Sequence, residues 1–238
     1  LSRCKLKVIM RVVVIAAVGL AVWRFFGIRT IDISGNRQLS AEHIRRAAEE
    51  SFARHPLSRN LLTLGMAPLE SDLQQAEYRL KEVAVKRRWP NGLVIEVAER
   101  QTALAWKSGN QLFVIGSDGT AIASADQQAK LPIVTDRANL PVKVGDKVAP
   151  ARFVAFCLEL LEQLPRRTGL QVTSLQVPES TSELHAITNK GYLIKLDTTR
   201  GVGDEVTDLV NVLAALTKLG KTPREYIDLR VEHKAYYR

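Results

Sequence analysis

Residues 30–52 read TIDISGNRQLSAEHIRRAAEESF, and this stretch decides the fold class of the first half of the chain. Apolar and polar residues alternate up to a Gly-Asn turn, which predicts a short strand. Ser40 then precedes a segment in which Ile44, Ala48 and Phe52 recur at helical spacing, so we expect Ser40 to cap an amphipathic helix. A strand followed directly by a capped helix indicates an α+β architecture.

A second helix and two strands complete this first unit. A helix is expected over residues 69–80, because its leucines repeat at helical spacing and its first turn carries the acids Glu70 and Asp72. The runs VAVKRRWP (83–90) and GLVIEVAER (92–100) are joined by an Asn-Gly hairpin signal. The order β-α-α-β-β therefore predicts a compact unit over residues 29–99, in which a three-stranded sheet buries one face against two helices.

Beyond residue 100, short strand patterns dominate, and two helical patterns interrupt them. The first helix is expected over residues 151–164, where Pro165 would end it. The second is expected from Asp204, as its N-cap, to Leu219, with Gly220 as its C-cap. The strand patterns cover residues 103–107, 111–115, 120–123, 131–134, 170–177, 184–188 and 192–197. Residues 100–238 are thus predicted to form a mixed, β-rich domain with two helices.

An apolar stretch at residues 8–26 is interrupted only by Arg11 and Arg24. A helix of this length spans about 28 Å, close to the hydrocarbon thickness of a bilayer. A cleaved signal peptide would need a cleavage site of small residues after the apolar stretch, and this chain has WRFFGIR there. A buried core helix would not need basic residues on both flanks. The basic excess on the N-terminal flank predicts a cytoplasmic N-terminus. We therefore expect residues 1–28 to comprise a cytoplasmic remnant and a single transmembrane helix in the cytoplasmic membrane, with the bulk of the chain outside the cytoplasm.

The net charge of +9 belongs largely to this N-terminal segment. Residues 1–29 hold six basic residues and no acid, whereas the rest holds 28 basic and 25 acidic residues, a difference of +3. The one basic cluster beyond it, at residues 86–88, precedes Trp89 on a predicted strand and is typical of a solvated face or a guarded sheet edge. We therefore expect no nucleic-acid partner, since specific binding needs a broader basic surface.

No sequence motif indicates catalysis or cofactor binding. The glycines at 201–203 and 220 lack the strand context of a dinucleotide or phosphate loop, and Cys157 falls on the apolar stripe of a helix. The histidines have no metal-ligand spacing; they are His43, His55, His185 and His233. We expect no enzyme activity, cofactor, metal site or small-molecule substrate. An exported cell-wall hydrolase remains the alternative, because catalytic residues that lie far apart in the sequence can come together in the folded chain without forming a motif.

The chain closes on YIDLRVEHKAYYR, residues 226–238. Tyr226, Asp228 and Arg230 alternate with Ile227, Leu229 and Val231, which predicts a terminal strand with the apolar set on a buried face and the polar set on a solvent-exposed face. At a sheet edge, such a strand leaves backbone N–H and C=O groups for a partner strand.

Several motifs, taken in order, resemble the bacterial cell-division family FtsQ/DivIB. They are IDISGN before a capped helix, the hairpin WPNGLVIEVAER leading into ALAW, VIGSDGTAI, and the terminal YIDLRV. The resemblance implies a POTRA domain, an FtsQ-type β domain, and a non-enzymatic divisome scaffold at the septum that binds FtsB/DivIC and FtsL through its C-terminal strand. It maps the family's Asp-Leu-Arg run onto Asp228, Leu229 and Arg230, and it implies that Arg230 makes a direct, charge-assisted contact with a partner carboxylate. The partner-binding residues expected on this basis are Tyr226, Asp228, Arg230, Val231, Glu232, Tyr236 and Tyr237. The alternative is a POTRA-containing assembly or transport factor of the cell envelope.

Overall fold

The computed structural model describes residues 3–125, 130–232 and 234–238, so His233 lies outside the described residues. The chain divides into two compact units, Leu1–Glu99 and Arg100–Arg238. Each unit has a hydrophobic core of its own.

Helix α1, Arg3–Phe25, occupies the apolar stretch near the N-terminus. Its large apolar side chains between Ile9 and Phe25 are exposed. In the part of the chain that the structure describes, no helix meets the combined requirements of length and apolarity for a membrane span. The helix itself is as predicted, whereas its role as a transmembrane anchor is not supported by this criterion.

The rest of the first unit is a three-stranded sheet with helices packed against it. Strand β1 runs parallel to β3, and β2 runs antiparallel to β3, in the spatial order β1-β3-β2. Leu69 and Leu73 of α3 join Ile44 and Phe52 of α2 in the core that covers the sheet. The elements are β1 Thr30–Ser34, α2 Ala41–Arg54, a 3-10 turn at Pro56–Arg59, α3 Met66–Ala76, β2 Leu80–Arg88 and β3 Gly92–Glu99. This is the predicted β-α-α-β-β order.

Two local features explain where these elements begin and end. Ser40 caps α2 as predicted, since its hydroxyl accepts a hydrogen bond from the backbone N–H of His43 at 3.2 Å. The prediction for α3 was displaced, because Leu80 begins β2 and the helix ends at Ala76. Leu80 is buried in the same core as the helix leucines. Apolar spacing alone cannot separate the last turn of a helix from the first residue of a strand that covers the same core.

The strands of the second unit form one mixed sheet in the order β12-β11-β10-β9-β8-β7-β4-β5-β6. Among the described residues, three neighbouring pairs are parallel, namely β4 with β7, β7 with β8 and β10 with β11, and the other five are antiparallel. The strands are β4 Thr102–Ser108, β5 Gln111–Gly116, β6 Ala121–Ser124, β7 Ile133–Asp136, β8 Val172–Val177, β9 Glu183–Thr188, β10 Leu193–Asp197, β11 Tyr226–Asp228 and β12 Tyr236–Tyr237. The helices are α4 Ala151–Thr168 and α5 Val202–Lys218.

One apolar core joins both helices to the sheet. Phe153 and Leu160 of α4 and Leu209 of α5 are fully buried with alternate residues of β9 and β10, such as Leu184 and Ile194. Burying one such side chain contributes about 1.5–3 kcal/mol. Every second residue of β9 and β10 points away from this core and remains partly exposed. That outer face lies beside β11 and β12, the last strands of the chain, and its side chains can form hydrogen bonds and ion pairs.

The two helices of this unit depart from prediction at their ends. Pro165 does not end α4, which continues to Thr168 and closes on Gly169 in the left-handed conformation, φ 72°. The extra turn is stabilised because the Thr168 hydroxyl and the Gly169 N–H donate to the carbonyls of Leu164 and Pro165. Asp204 is not the N-cap of α5, since the cap is Gly201 and Asp204 lies in the first turn.

Candidate partner-binding edge

The outer edge of the second sheet is β12, the last strand of the chain. β11 pairs in parallel with β10, with Ile227 opposite Ile194, and β12 covers its other side in antiparallel register. The sequence predicted one exposed edge that runs from Tyr226 to Tyr237. In the structure, β11 is an inner strand and β12 is the strand that faces outward.

Backbone hydrogen bonds show which groups of β12 are free to pair. The Arg238 N–H donates to the Tyr226 carbonyl at 3.1 Å, and the Tyr226 N–H donates back to the Arg238 carbonyl at 3.4 Å. Hydrogen-bonded and non-hydrogen-bonded pairs alternate along an antiparallel ladder. Tyr237, which is opposite Ile227, therefore belongs to a non-hydrogen-bonded pair. Its N–H and C=O point away from β11, toward the position that an added strand would occupy.

A group of polar side chains lies on the outer face of the sheet beside this edge. We call it the polar face: Glu183, His185, Lys195, Tyr226, Asp228 and Arg230. His185 Nε2 lies 2.7 Å from Glu183 Oε1, and the Lys195 Nζ lies 4.5 Å from the centre of the Tyr226 ring. The first contact lies within β9 and the second joins β10 to β11, and the three strands are neighbours in the sheet. These contacts give the face next to the free edge a fixed arrangement of charges.

Arg230 is the centre of the polar face. Its Nε and Nη2 donate to the two carboxylate oxygens of Asp228 at 2.9 and 2.6 Å, and its Nη1 donates to Glu183 at 2.8 Å. Burial would raise the pKa of Asp228, but the hydrogen bonds from Arg230 outweigh it and hold that pKa below its usual value. The Asp228 hydrogen bond in turn raises the pKa of Arg230. Arg230 already pairs within the chain, so a partner carboxylate would share a guanidinium that is held in place.

A second arginine, Arg200, secures the backbone just before Arg230. Its Nη1 donates to Glu205 at 2.9 Å and to the Leu229 carbonyl at 3.1 Å, and its Nη2 donates to Asp208 at 2.7 Å. Arg200 precedes α5, and both acids lie on that helix. We call Arg200, Glu205, Asp208 and Leu229 the arginine bracket. It ties the start of α5 to the end of β11 and so positions the C-terminal segment.

Glu205 is the buried member of the arginine bracket. Its side chain is fully buried, and its Oε2 has no hydrogen-bond partner among the described residues. Burial raises the pKa of Glu205 to about 7, and the nearby Arg200 opposes that shift. The attraction of Arg200 therefore keeps a carboxylate in a place where an isolated charge would be expensive.

The remaining predicted residues lie on the exposed C-terminal segment. Val231 is 47% exposed, although alternation predicted it to be buried, because β11 ends at Asp228 and the periodicity ends with it. Tyr236 and Tyr237 are exposed on β12, and the Lys221 Nζ lies 3.3 Å from the Tyr237 hydroxyl. Glu232 is exposed. The structure therefore brings Tyr226, Asp228 and Arg230 together on one face and places the other predicted residues along the terminal segment.

Sequence reasoning missed several residues of this site: Glu183, Lys195, Arg200 and Glu205. Strand alternation could have found the first two, since the pairs Asp197–Glu183 and Lys195–Asp228 follow from the register of adjacent strands. Nothing local marks Arg200 or Glu205, and Arg200 meets Leu229 only through the folded chain. Among the described residues, no three His, Cys, Asp or Glu side chains converge as metal ligands. The chemistry of the edge is hydrogen bonding and charge pairing.

Comparison with known proteins identifies the two units. Residues 26–100 match the family model described as "POTRA domain, FtsQ-type", and residues 104–230 match "Cell division protein FtsQ/DivIB, C-terminal". The second match ends at Arg230, so it includes β11 and the polar-face arginine.

The chain is also similar to proteins named cell division protein FtsQ or DivIB. The cell division protein FtsQ of Streptomyces coelicolor is 25% identical over 133 residues, 54% of this chain and 48% of that protein, so the match spans about half of the relative's length. FtsQ of Streptomyces collinus is 22% identical over 74% of this chain and 68% of its own. DivIB of Clostridium acetobutylicum is 22% identical over 90% of this chain and 83% of its own. With its two units matched by the two family models, the chain belongs to the FtsQ/DivIB family of bacterial cell-division proteins.

Proposed function

We propose that this protein is a non-enzymatic, membrane-anchored scaffold of the divisome that binds FtsB/DivIC-type and FtsL-type partners during septum formation. Residues 29–99 would act as the POTRA domain and residues 100–238 as the partner-binding β domain. The observation that carries the proposal is the free edge at β12, where the backbone N–H and C=O of Tyr237 face outward. A strand from a partner adds to this edge by main-chain hydrogen bonds.

Side chains around β12 supply the specificity of this pairing. Exposed Tyr236 and Tyr237 offer aromatic surface at the edge, and aromatic residues are frequent anchors of protein interfaces. Val231 adds exposed apolar area, while Arg230 and Glu232 add one charge of each sign. An amphipathic partner strand with an acidic residue beside Arg230 fits this combination. Backbone pairing provides affinity, and the polar face fixes the register.

The test of the edge removes one outward-facing backbone N–H. Tyr237→Pro deletes the donor of a partner ladder, and Pro is tolerated at an edge strand. Tyr237→Phe is the matched control, since it changes the side chain and leaves the backbone donor in place. We expect the proline variant to lose co-purification with the FtsB/DivIC-type and FtsL-type proteins, and the phenylalanine variant to retain it. Equal retention by both variants would refute strand addition at β12.

We further propose that α1 attaches the chain to the cytoplasmic membrane with its N-terminus in the cytoplasm. Exposed apolar side chains from Ile9 to Phe25 and the basic residues on the N-terminal flank support this role. The expected result is that the protein stays in the membrane pellet after alkaline carbonate extraction, whereas a version that begins at Ile28 is released. Release of both versions would refute the anchor.

A further inference from the structure

The end of α1 is fixed to the loop between α2 and α3 by backbone and side-chain hydrogen bonds. Asn60, which is 2% exposed, donates its side-chain amide to the Trp23 carbonyl at 2.6 Å. The Leu61 N–H donates to the Phe26 carbonyl at 3.0 Å, and the Ile28 N–H donates to the Arg59 carbonyl at 3.1 Å. These contacts hold the helix end and the loop in one arrangement.

A cavity of about 760 Å³ lies where the helix end meets this loop. Arg24 lines it from the last turn of α1, Arg29 from the segment that follows the helix, and Arg59 from the loop. None of the described residues that line the cavity is acidic. Arg59 forms an ion pair with Glu49, with Nη2 3.2 Å from Oε1, whereas Arg24 and Arg29 have no carboxylate partner among the described residues. The cavity therefore carries a positive charge that the chain itself only partly neutralises.

Exposed apolar side chains lie on the same segments as these arginines. Phe25 is 56% exposed beside Arg24, and Leu57 and Leu62 are 69% and 48% exposed on either side of Arg59. Trp23, which lines the cavity, is also exposed. Basic side chains next to exposed aromatic and aliphatic ones are typical of a surface at the boundary between lipid headgroups and acyl chains.

We propose that this cavity binds the phosphate-bearing headgroup of an anionic phospholipid. Guanidinium groups match phosphate oxygens with paired N–H donors, and Arg24 and Arg29 have donors to offer. The exposed Leu57 and Leu62 favour a lipid over a soluble phosphate, because only a lipid brings an apolar surface with its phosphate. Bound headgroup would hold the first unit against the membrane surface. This inference rests on the proposed membrane association of α1.

The test uses the full chain purified in detergent and native mass spectrometry with equal amounts of phosphatidylglycerol and phosphatidylcholine. We expect preferential retention of phosphatidylglycerol, and a loss of that preference of roughly tenfold or more in Arg24→Gln/Arg29→Gln. Arg46→Gln/Arg79→Gln is the matched control, since it removes the same charge from exposed positions that do not line the cavity. Millimolar inorganic phosphate should not displace the bound lipid.

The inference is overturned if the wild-type chain shows no preference, if Arg24→Gln/Arg29→Gln keeps it, if the control variant loses it equally, or if inorganic phosphate displaces the lipid. Co-flotation with phosphatidylcholine vesicles separates this failure from failure of the proposed function. A chain that floats with these vesicles but retains no phosphatidylglycerol overturns the headgroup site alone. A chain that floats neither with phosphatidylcholine vesicles nor with phosphatidylglycerol vesicles overturns the membrane association and the site together.

Discussion

Replacement of Arg200 by Met should destabilise the C-terminal edge more than any exposed charge change in the second unit. The substitution keeps much of the side-chain volume and removes the guanidinium of the arginine bracket. Glu205 then has no cation within the bracket, although it is fully buried, and the Leu229 carbonyl loses a charged donor at 3.1 Å. Asp208 loses its 2.7 Å contact as well.

The size of the effect follows from the burial of Glu205. Removing one partner of a buried ion pair costs about 3–5 kcal/mol, because the remaining charge is left without compensation. The hydrogen bond to Leu229 belongs to the same network, so its loss is largely included in that figure. For a unit of this size, the cost corresponds to a decrease of about 10 °C or more in melting temperature. Arg166→Met, which removes an exposed ion pair on α4, should change stability by less than about 1 kcal/mol.

The pH dependence of the Arg200→Met deficit has a definite sign. Burial places the folded pKa of Glu205 at about 7, above its ordinary value of 4.5, and loss of Arg200 removes a contribution that lowers it. A raised pKa means that the folded state favours neutral Glu205. The contribution of neutral Glu205 to the free energy of unfolding is therefore complete below pH 4.5 and is lost as pH rises through the folded pKa. The loss of the Leu229 and Asp208 contacts leaves a deficit at both pH values. The deficit should be larger at pH 8 than at pH 5 by about 1.4 kcal/mol, which corresponds to one pH unit above a folded pKa of about 7.

The assay is thermal unfolding followed by Trp106, which is the only tryptophan in residues 100–238, in a background with Trp23→Phe and Trp89→Phe. A second variant, Arg200→Met/Glu205→Gln, should recover part of the stability at pH 8 and lose the pH dependence. A deficit under about 1 kcal/mol at pH 8, or an equal deficit at pH 5 and pH 8, would refute the account of the arginine bracket.

Three further results are expected, two from unfolding of single variants and one from thiol labelling of the unmodified protein. Glu99→Ala should cost about 2 kcal/mol above pH 4.5, because its carboxylate accepts three backbone N–H groups from residues 37–39 at 2.7–3.0 Å. Burial raises the pKa of Glu99, but those hydrogen bonds lower it by more, so the folded pKa lies below the ordinary value of 4.5. The deficit should therefore vanish as pH falls below 4.5, and a constant deficit would contradict this. Gly119→Ala should lower the melting temperature, since φ is +85° and the new Cβ would overlap the Ala149 carbonyl oxygen; an unchanged melting curve would contradict this. Cys157 should react with a thiol reagent only on unfolding, because burial raises its pKa to about 12, and fast labelling of the native protein would count against it.

Local sequence patterns were sufficient for most elements of the fold. The strand at 30–34 and the helix from Ala41 follow from alternation and from a Ser40 cap, which act over a few residues. The Asn-Gly turn likewise predicted the hairpin of β2 and β3. Each of these signals depends on neighbours along the chain, so no knowledge of the folded core was needed.

Contacts between distant segments explain what the sequence could not predict. Leu80 and Pro165 were misplaced because a buried strand and a capped extra helical turn satisfy the same local pattern as a helix end. A sheet edge does lie in the terminal segment, but the return of residues 236–238 to cover β11 depends on a pairing that alternation does not reveal. The contact between Arg200 and Leu229 had no local signal, since the two residues lie 29 positions apart.

Site-specific photo-cross-linking in growing cells tests the central claim most directly. A photoreactive residue replaces Tyr237 on the free β12 edge, and the same replacement at Ser124, on β6 at the other end of the sheet, is the control. The account predicts an adduct between position 237 and an FtsB/DivIC-type or FtsL-type protein, and none from position 124. A protein that localises to the septum but forms no such adduct from position 237, or forms it equally from position 124, would contradict partner binding at this edge.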